Sequence, residues 1–280
     1  MPAYYHLIAI LVIALHSCTD TQIRVDRTQP QQVSKTMPKT IREIPLPKDF
    51  SYCHNTDTAY ANWLLDLSLK QNNTVYLYNG GLKADQNVQY CVLDIDIGKK
   101  DLVQCADAVM KLRADFLFGK HLYANLSFTS TSGDSLSFEK WLTGVRWKEK
   151  ASRLITYRVR TGAANDLDAY TAFMEFVFSY CGSYSLSHQL KPVREIDSIQ
   201  PGDVFVEGGF PGHAVTVMAI AGNAKGEKAF LLSQGYMPAQ DIHILKNYRD
   251  PALSPWYRLR DIYPLCTPQW QFPNGTLKRW

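Results

Sequence analysis

The residues with the clearest chemical potential in this 280-residue chain lie in the segment Gln200 to Val217, which reads QPGDVFVEGGFPGHAVTV. Four glycines and two prolines there surround a single histidine. Glycine lets a ligand approach the backbone closely and reaches dihedrals closed to other residues. His213 is the side chain suited to proton transfer near neutral pH. Downstream, Gly222 to Gly226 has the composition of a hairpin loop, and Lys228 to Gln234 that of a strand. A loop centred on Ala224-Lys225 sets His213 opposite Tyr236 and Val215 opposite Gln234. His213 and Gln234 then become diagonal neighbours on one face, and a slip of one residue would separate them. In that arrangement His213 is a candidate base and Gln234 its orienting partner. Cys181, upstream, is the candidate nucleophile. Gly209, Phe210, Gly212 and Tyr236 are candidate ligand contacts. The same residues also fit a structural histidine bracing the glycine loop and a thiol buried as a small apolar side chain.

The elements that must position them follow from periodicity. A helix is predicted over Asp166 to Tyr180, with Tyr170, Phe173, Phe176 and Val177 on one face. That places Cys181 at a helix C-terminus, where the dipole raises a thiol pKa. Ser183 or Ser185 is placed to cap a short helix toward Leu190. Further helices are predicted over Thr56 to Lys70 and Asp101 to Phe118. Strands are predicted at Thr74 to Tyr78, Gln89 to Ile97, Asn125 to Thr129, Asp203 to Val206, His213 to Ala221 and Lys228 to Gln234. The C-terminal part, rich in Pro, Trp and Tyr, is expected to wrap the surface. The pattern is α+β, mixed helices packed on an antiparallel sheet.

Residues Leu7 to Leu15 (LIAILVIAL) form an unbroken apolar run. It is shorter than the roughly 20 apolar residues a membrane-crossing helix needs, and it fits the core of a signal peptide. An ordinary secretory leader and a buried strand fit it too. The run ends in Leu-His-Ser-Cys at Cys18, which resembles the lipobox of bacterial lipoproteins. That resemblance implies cleavage before Cys18 and a diacylglycerol on its sulfur, with the membrane as a partner. Thr19 to Lys48, rich in Thr, Gln, Pro and Lys, cannot bury enough surface to offset its ordering entropy and is read as a tether. The expected organisation is a signal peptide over 1–17, lipidated Cys and tether over 18–48, and one domain over 49–280. The other five cysteines have no metal-ligand spacing, and the histidines add none, so no metal and no cofactor is expected. The formal net charge of +4 is dispersed, without the basic cluster of a nucleic-acid binder.

The segment GDVFVEGGFPGHAVTVMAI resembles the histidine half of papain-like cell-wall hydrolases of the NlpC/P60 and CHAP types. This resemblance implies a papain-like C-terminal half, with His213 as base, Gln234 as orienter and an upstream cysteine as nucleophile. A broader resemblance rests on DIDIGKKDLVQCADAVMKLRADFLF, GDVFVEGGFPGHAV and LLSQGYMPAQDIHILKN. These are similar to a family of Bacteroidetes lipoproteins, domain-of-unknown-function family 4846. It implies an exported protein of the cell envelope and brings no activity. Within these strings Asp107 and Arg113 are further candidate site residues, six apart and so on different faces of their helix. Two functions are therefore expected: a hydrolase or amidase acting on cell-wall peptides, or a non-catalytic lipoprotein binding a peptide or glycan in the Gly-rich cleft.

Overall fold

The computed structural model describes residues 37–53, 59–160 and 166–280. The leader, Cys18 and most of the expected tether lie outside the described residues. The fold is α+β. A nine-stranded sheet is built from β1 (Phe50–Tyr52), β2 (Gln89–Val92), β7 (Lys191–Pro192), β8 (Val204–Glu207), β9 (His213–Asn223), β10 (Lys228–Gln234), β11 (His243–Leu245), β12 (Tyr257–Arg258) and β15 (Leu277–Arg279). Its main path runs β2-β11-β10-β9-β8-β15-β7, with β1 added to β9 and β12 to β10. Every pairing in it is antiparallel. Three two-stranded ribbons complete the strands: β3 (Ser127–Thr129) with β4 (Ser135–Ser137), β5 (Val145–Lys150) with β6 (Arg153–Arg158), and β13 (Leu265–Cys266) with β14 (Gln271–Phe272).

The two faces of the sheet are covered differently. On one lie α1 (Ala59–Leu65), α2 (Cys105–Gly119), α3 (Phe138–Leu142), α4 (Asp166–Tyr180) and α5 (Ser183–Gln189). Ala106, Val109 and Leu112 of α2 and Phe173 of α4 share a core there with Ala214, Ala219 and Ala221 of β9. On the other face the C-terminal segments fold back, and Phe272 and Leu265 close a second core over Phe205, Val215, Val217 and Phe230. Adjacent strand residues point to opposite faces. β9 is buried along nearly its whole length because both of its faces are covered.

Most predicted helices are present with shifted ends, and α4 matches its expected span. α2 begins at Cys105, four residues after the predicted start at Asp101. The Asp101 carboxylate, placed by sequence to open the helix, instead accepts the Ala239 N–H at 2.7 Å. The predicted strand at Thr74 to Tyr78 is reduced to isolated bridges from Tyr76 and Leu77. The fold also begins earlier than position 49. Ile41 and Ile44 are fully buried, Leu69 N–H donates to Lys39 O, and Trp256 Nε1 donates to Pro45 O. The stretch from Met37 therefore belongs to the folded unit, which runs to Trp280.

Candidate functional site

The β9–β10 hairpin determines what lies beside His213. Near the loop the partners are Lys228↔Gly222 through Leu231↔Ala219, and after a bulge at Met218 they are Leu232↔Val217 and Ser233↔Thr216. A bulge shifts register by one residue. Continued past Ser233, the shifted register sets Gln234 against Val215, as the sequence pairing expected. His213 and Gln234 share a face, and His213 Nε2 lies 3.0 Å from Gln234 Oε1.

The surrounding network assigns the protons. His243 Nδ1 is 2.9 Å from the Asp241 carbonyl, so it donates there and leaves Nε2 as an acceptor. The Gln234 amide nitrogen donates to Gln269 Oε1 at 2.8 Å and faces His243 Nε2 at 3.4 Å. Lys83 Nζ donates to the same Gln269 oxygen at 3.1 Å. Gln234 Oε1 is thereby left to accept from His213 Nε2–H. The His213 ring packs against Tyr236, Trp270 and Phe272, with centroids at 5.3, 5.3 and 5.7 Å. Burial drives its pKa down to about 4, against a smaller upward pull from Gln234. His243 is held down to about 4, chiefly by burial. Both imidazoles are neutral at pH 7.

The thiols lie elsewhere. Cys105 is the first residue of α2, and its sulfur sits 4.0 Å from Gly212 O. It also receives backbone N–H groups, that of Ala214 among them. It thus touches the backbone on both sides of His213, while Ala214 faces α2 and the imidazole points to the opposite, C-terminal core. Burial, with Asp107 adding to it, pushes the Cys105 thiol up to about 11 despite the helix N-terminus. Cys181 follows the last turn of α4, its N–H bonded to Val177 O, and burial raises its pKa strongly.

Cys105 and Cys181 line one cleft of about 240 Å³ with Asp107, Gly209, Phe210 and Gly212. The structure therefore brings together Cys181, Gly209, Phe210 and Gly212 on one side, and His213, Gln234 and Tyr236 on the other. No contact joins Cys181 to the His213 ring among the described residues. Phe210 is 83% exposed at the cleft rim, and its ring lies 6.1 Å from Tyr184. Gly212 is required by space: a Cβ there would meet Ser183 Oγ at 2.3 Å and Glu207 O at 2.6 Å. Ser183 Oγ itself donates to Gly209 O, and Ser185 Oγ accepts the Gly182 N–H at the start of α5.

Asp107 is the most unusual group in the cleft. Its Oδ2 accepts the Gln104 N–H at 3.1 Å, while its Oδ1 is buried without a partner. Burial holds its pKa well above the usual carboxylate range. Oδ1 is therefore the carboxyl oxygen left without a hydrogen-bond partner among the described residues, and burial favours the neutral form of the group. Among the described residues no cluster of His, Cys, Asp or Glu forms a metal site. Sequence reasoning passed over Cys105, Lys83, Gln269 and Trp270. A later helix start would have marked Cys105; the others come from distant segments and left no local signal.

One family model matches the chain, over residues 41–279, with the description Domain of unknown function (4846). No curated protein and no solved structure matches.

Proposed function

Because the chain belongs to this family of unknown function, we propose from the site itself that it is an exported, lipid-anchored envelope protein that binds a peptide or glycan in the glycine-rich cleft. The observation that carries the binding reading is the orientation of His213. A general base must lie within hydrogen-bond reach of the group it deprotonates. The imidazole is buried among Tyr236, Trp270 and Phe272 on the face away from Cys105 and Cys181. The cleft offers what a carbonyl-bearing ligand needs. Asp107 Oδ1 has no partner, and burial favours the neutral, donating form of the group; a glycine loop permits close approach, and Phe210 is exposed for stacking. Leaving such a buried polar atom unpaired costs about 1–3 kcal/mol, which a ligand acceptor would recover. Amide carbonyls of peptides and N-acetyl groups of glycans are such acceptors.

The test titrates purified peptidoglycan fragments into the full chain and follows the products by mass spectrometry. Binding without cleavage is expected, with Phe210→Ala weakening it by roughly tenfold, the size of a buried aromatic anchor. Cleavage lost in His213→Ala would refute the binding reading. A second reading is a thiol hydrolase using Cys105, favoured by the placement of its sulfur at the start of α2 beside the Ala214 N–H. Product formation abolished by Cys105→Ala would establish it. The anchor is tested separately: Cys18→Ser should end acyl labelling and release the chain from membranes, and undiminished labelling would remove the lipoprotein assignment.

A further inference from the structure

A second cavity, of about 320 Å³, opens where α1, the Gln200–Asp203 turn and the end of β15 meet α2. Into it projects Arg113, six residues after Asp107 and so on a different face of α2. Its guanidinium carbon lies 4.9 Å from the Tyr60 ring centre, 5.7 Å from Phe116 and 6.0 Å from Trp280. Arg113 makes no hydrogen bond and no ion pair among the described residues, so all five of its N–H donors are unused. The neighbouring Arg279 shows the usual structural solution. It grips both oxygens of the fully buried Asp203, at 2.6 and 2.7 Å, and bonds Ser198 O. That carboxylate is therefore committed to Arg279, and Arg113 has no carboxylate partner among the described residues.

Two residues in the wall of the same cavity carry further donors without a partner among the described residues. The Tyr60 hydroxyl and the Trp280 indole N–H are both buried without a partner. Tyr60 is held in place by packing: Gly202, at φ +90°, leaves room for its ring, and a Cβ there would lie 2.6 Å from it. A buried unpaired donor and a half-buried unpaired cation each cost free energy. An acceptor-rich anion would pair with the Arg113 fork, and a small side-chain adjustment would bring the Tyr60 hydroxyl and Trp280 N–H to it.

We propose that this cavity binds an oxyanion, and that the ligand is a carboxylate carried on an apolar or aromatic body. The guanidinium fork matches a carboxylate or a phosphate. Among the described residues Arg113 is the cavity's cation without a carboxylate partner, and with Asp203 in the wall this favours the monoanion. The Tyr60, Phe116 and Trp280 rings supply apolar walls for the body of the ligand. The site is separate from the cleft at the start of α2 and does not depend on the function assigned to that cleft.

The experiment is calorimetric titration of the full chain with N-acetylphenylalanine, its neutral amide, and inorganic phosphate, alongside Arg113→Gln and Tyr60→Phe. The acid is expected to bind and the amide to bind at least about tenfold more weakly, the size of a charge-assisted hydrogen bond. Arg113→Gln should cost a similar factor. Tyr60→Phe, which removes only the hydroxyl, should cost several-fold without lowering the melting temperature, so it serves if Arg113→Gln does not fold. Phosphate binding that depends on Arg113 would support the oxyanion site and identify phosphate as the source. Equal affinity for acid and amide, insensitivity to Arg113→Gln and Tyr60→Phe, or no binding of either anion at millimolar concentration would overturn it.

Discussion

His213 and Cys105 sit on one stretch of backbone and face opposite layers, and their ionisation follows from that. The folded His213 pKa, about 4, lies below its ordinary value of 6.5, so protonation disfavours the folded state. Stability from keeping His213 neutral is fully present above pH 6.5 and is lost as pH falls from 6.5 toward 4. Each pKa unit corresponds to about 1.4 kcal/mol, and His243 acts in the same direction in the same window. Urea midpoints measured from pH 7 to pH 4.5 should fall steeply, and the fall should be shallower in His213→Asn. An identical slope would show that the imidazole is not buried neutral. Cys105, raised to about 11, should react with iodoacetamide slowly at pH 7 and at a rate that climbs above pH 9. A reaction already at its plateau at pH 7 would revive Cys105 as a nucleophile. The His213–Gln234 pair was legible in the sequence because a hairpin loop and strand alternation are local. The direction of the imidazole relative to the thiols was not, because it depends on which layer covers each face.

At the scale of the element, α2 joins both sites, and its start decides the identity of the cleft. The helix opens at Gln104 with Asp107 taking the Gln104 N–H. Burial favours the neutral form of Asp107, so Asp107→Asn, which keeps the Gln104 contact, should change stability by less than about 1 kcal/mol. Asp107→Ala removes the cap and should cost about 1 kcal/mol. Thermal or urea unfolding separates the two, and equal losses would argue against a neutral Asp107. Gly235 marks where α2 touches the sheet: a Cβ there would meet Gln104 O at 2.8 Å and Ala108 Cβ at 3.0 Å. Gly235→Ala should therefore lift the start of α2 and destabilise by about 1–3 kcal/mol, as overpacking does. The β5–β6 ribbon went unread for a related reason. Its two-residue turn puts Ala151 and Ser152 at positive φ, where sequence patterns lead one to look for Asn or Gly.

At the scale of the whole molecule, the sheet is a partition with helices on one side and the C-terminal wrap on the other. His213, Gln234 and Gln269 belong to the wrapped side, and Cys105, Asp107 and Cys181 to the helical side. The folded unit begins at Met37 because Ile41 and Ile44 fill its core. Ile41→Ala and Ile44→Ala should each cost about 2–5 kcal/mol, the range for emptying a fully buried aliphatic site. Denaturant unfolding with no measurable loss would return those residues to a tether.

Sequence alone determined the α+β class, the span of α4, the β9–β10 hairpin and the His213–Gln234 pair. Each rests on periodicity or turn chemistry within a few dozen residues. Tertiary structure alone decided that Cys105 opens α2, because the Asp101 carboxylate is drawn to Ala239, 138 residues away in the chain. It also decided that the imidazole and the thiols face different layers, and that Arg113 meets Tyr60 and Trp280. Such encounters join segments far apart in sequence, and no local spacing records which face of a sheet a distant segment will cover.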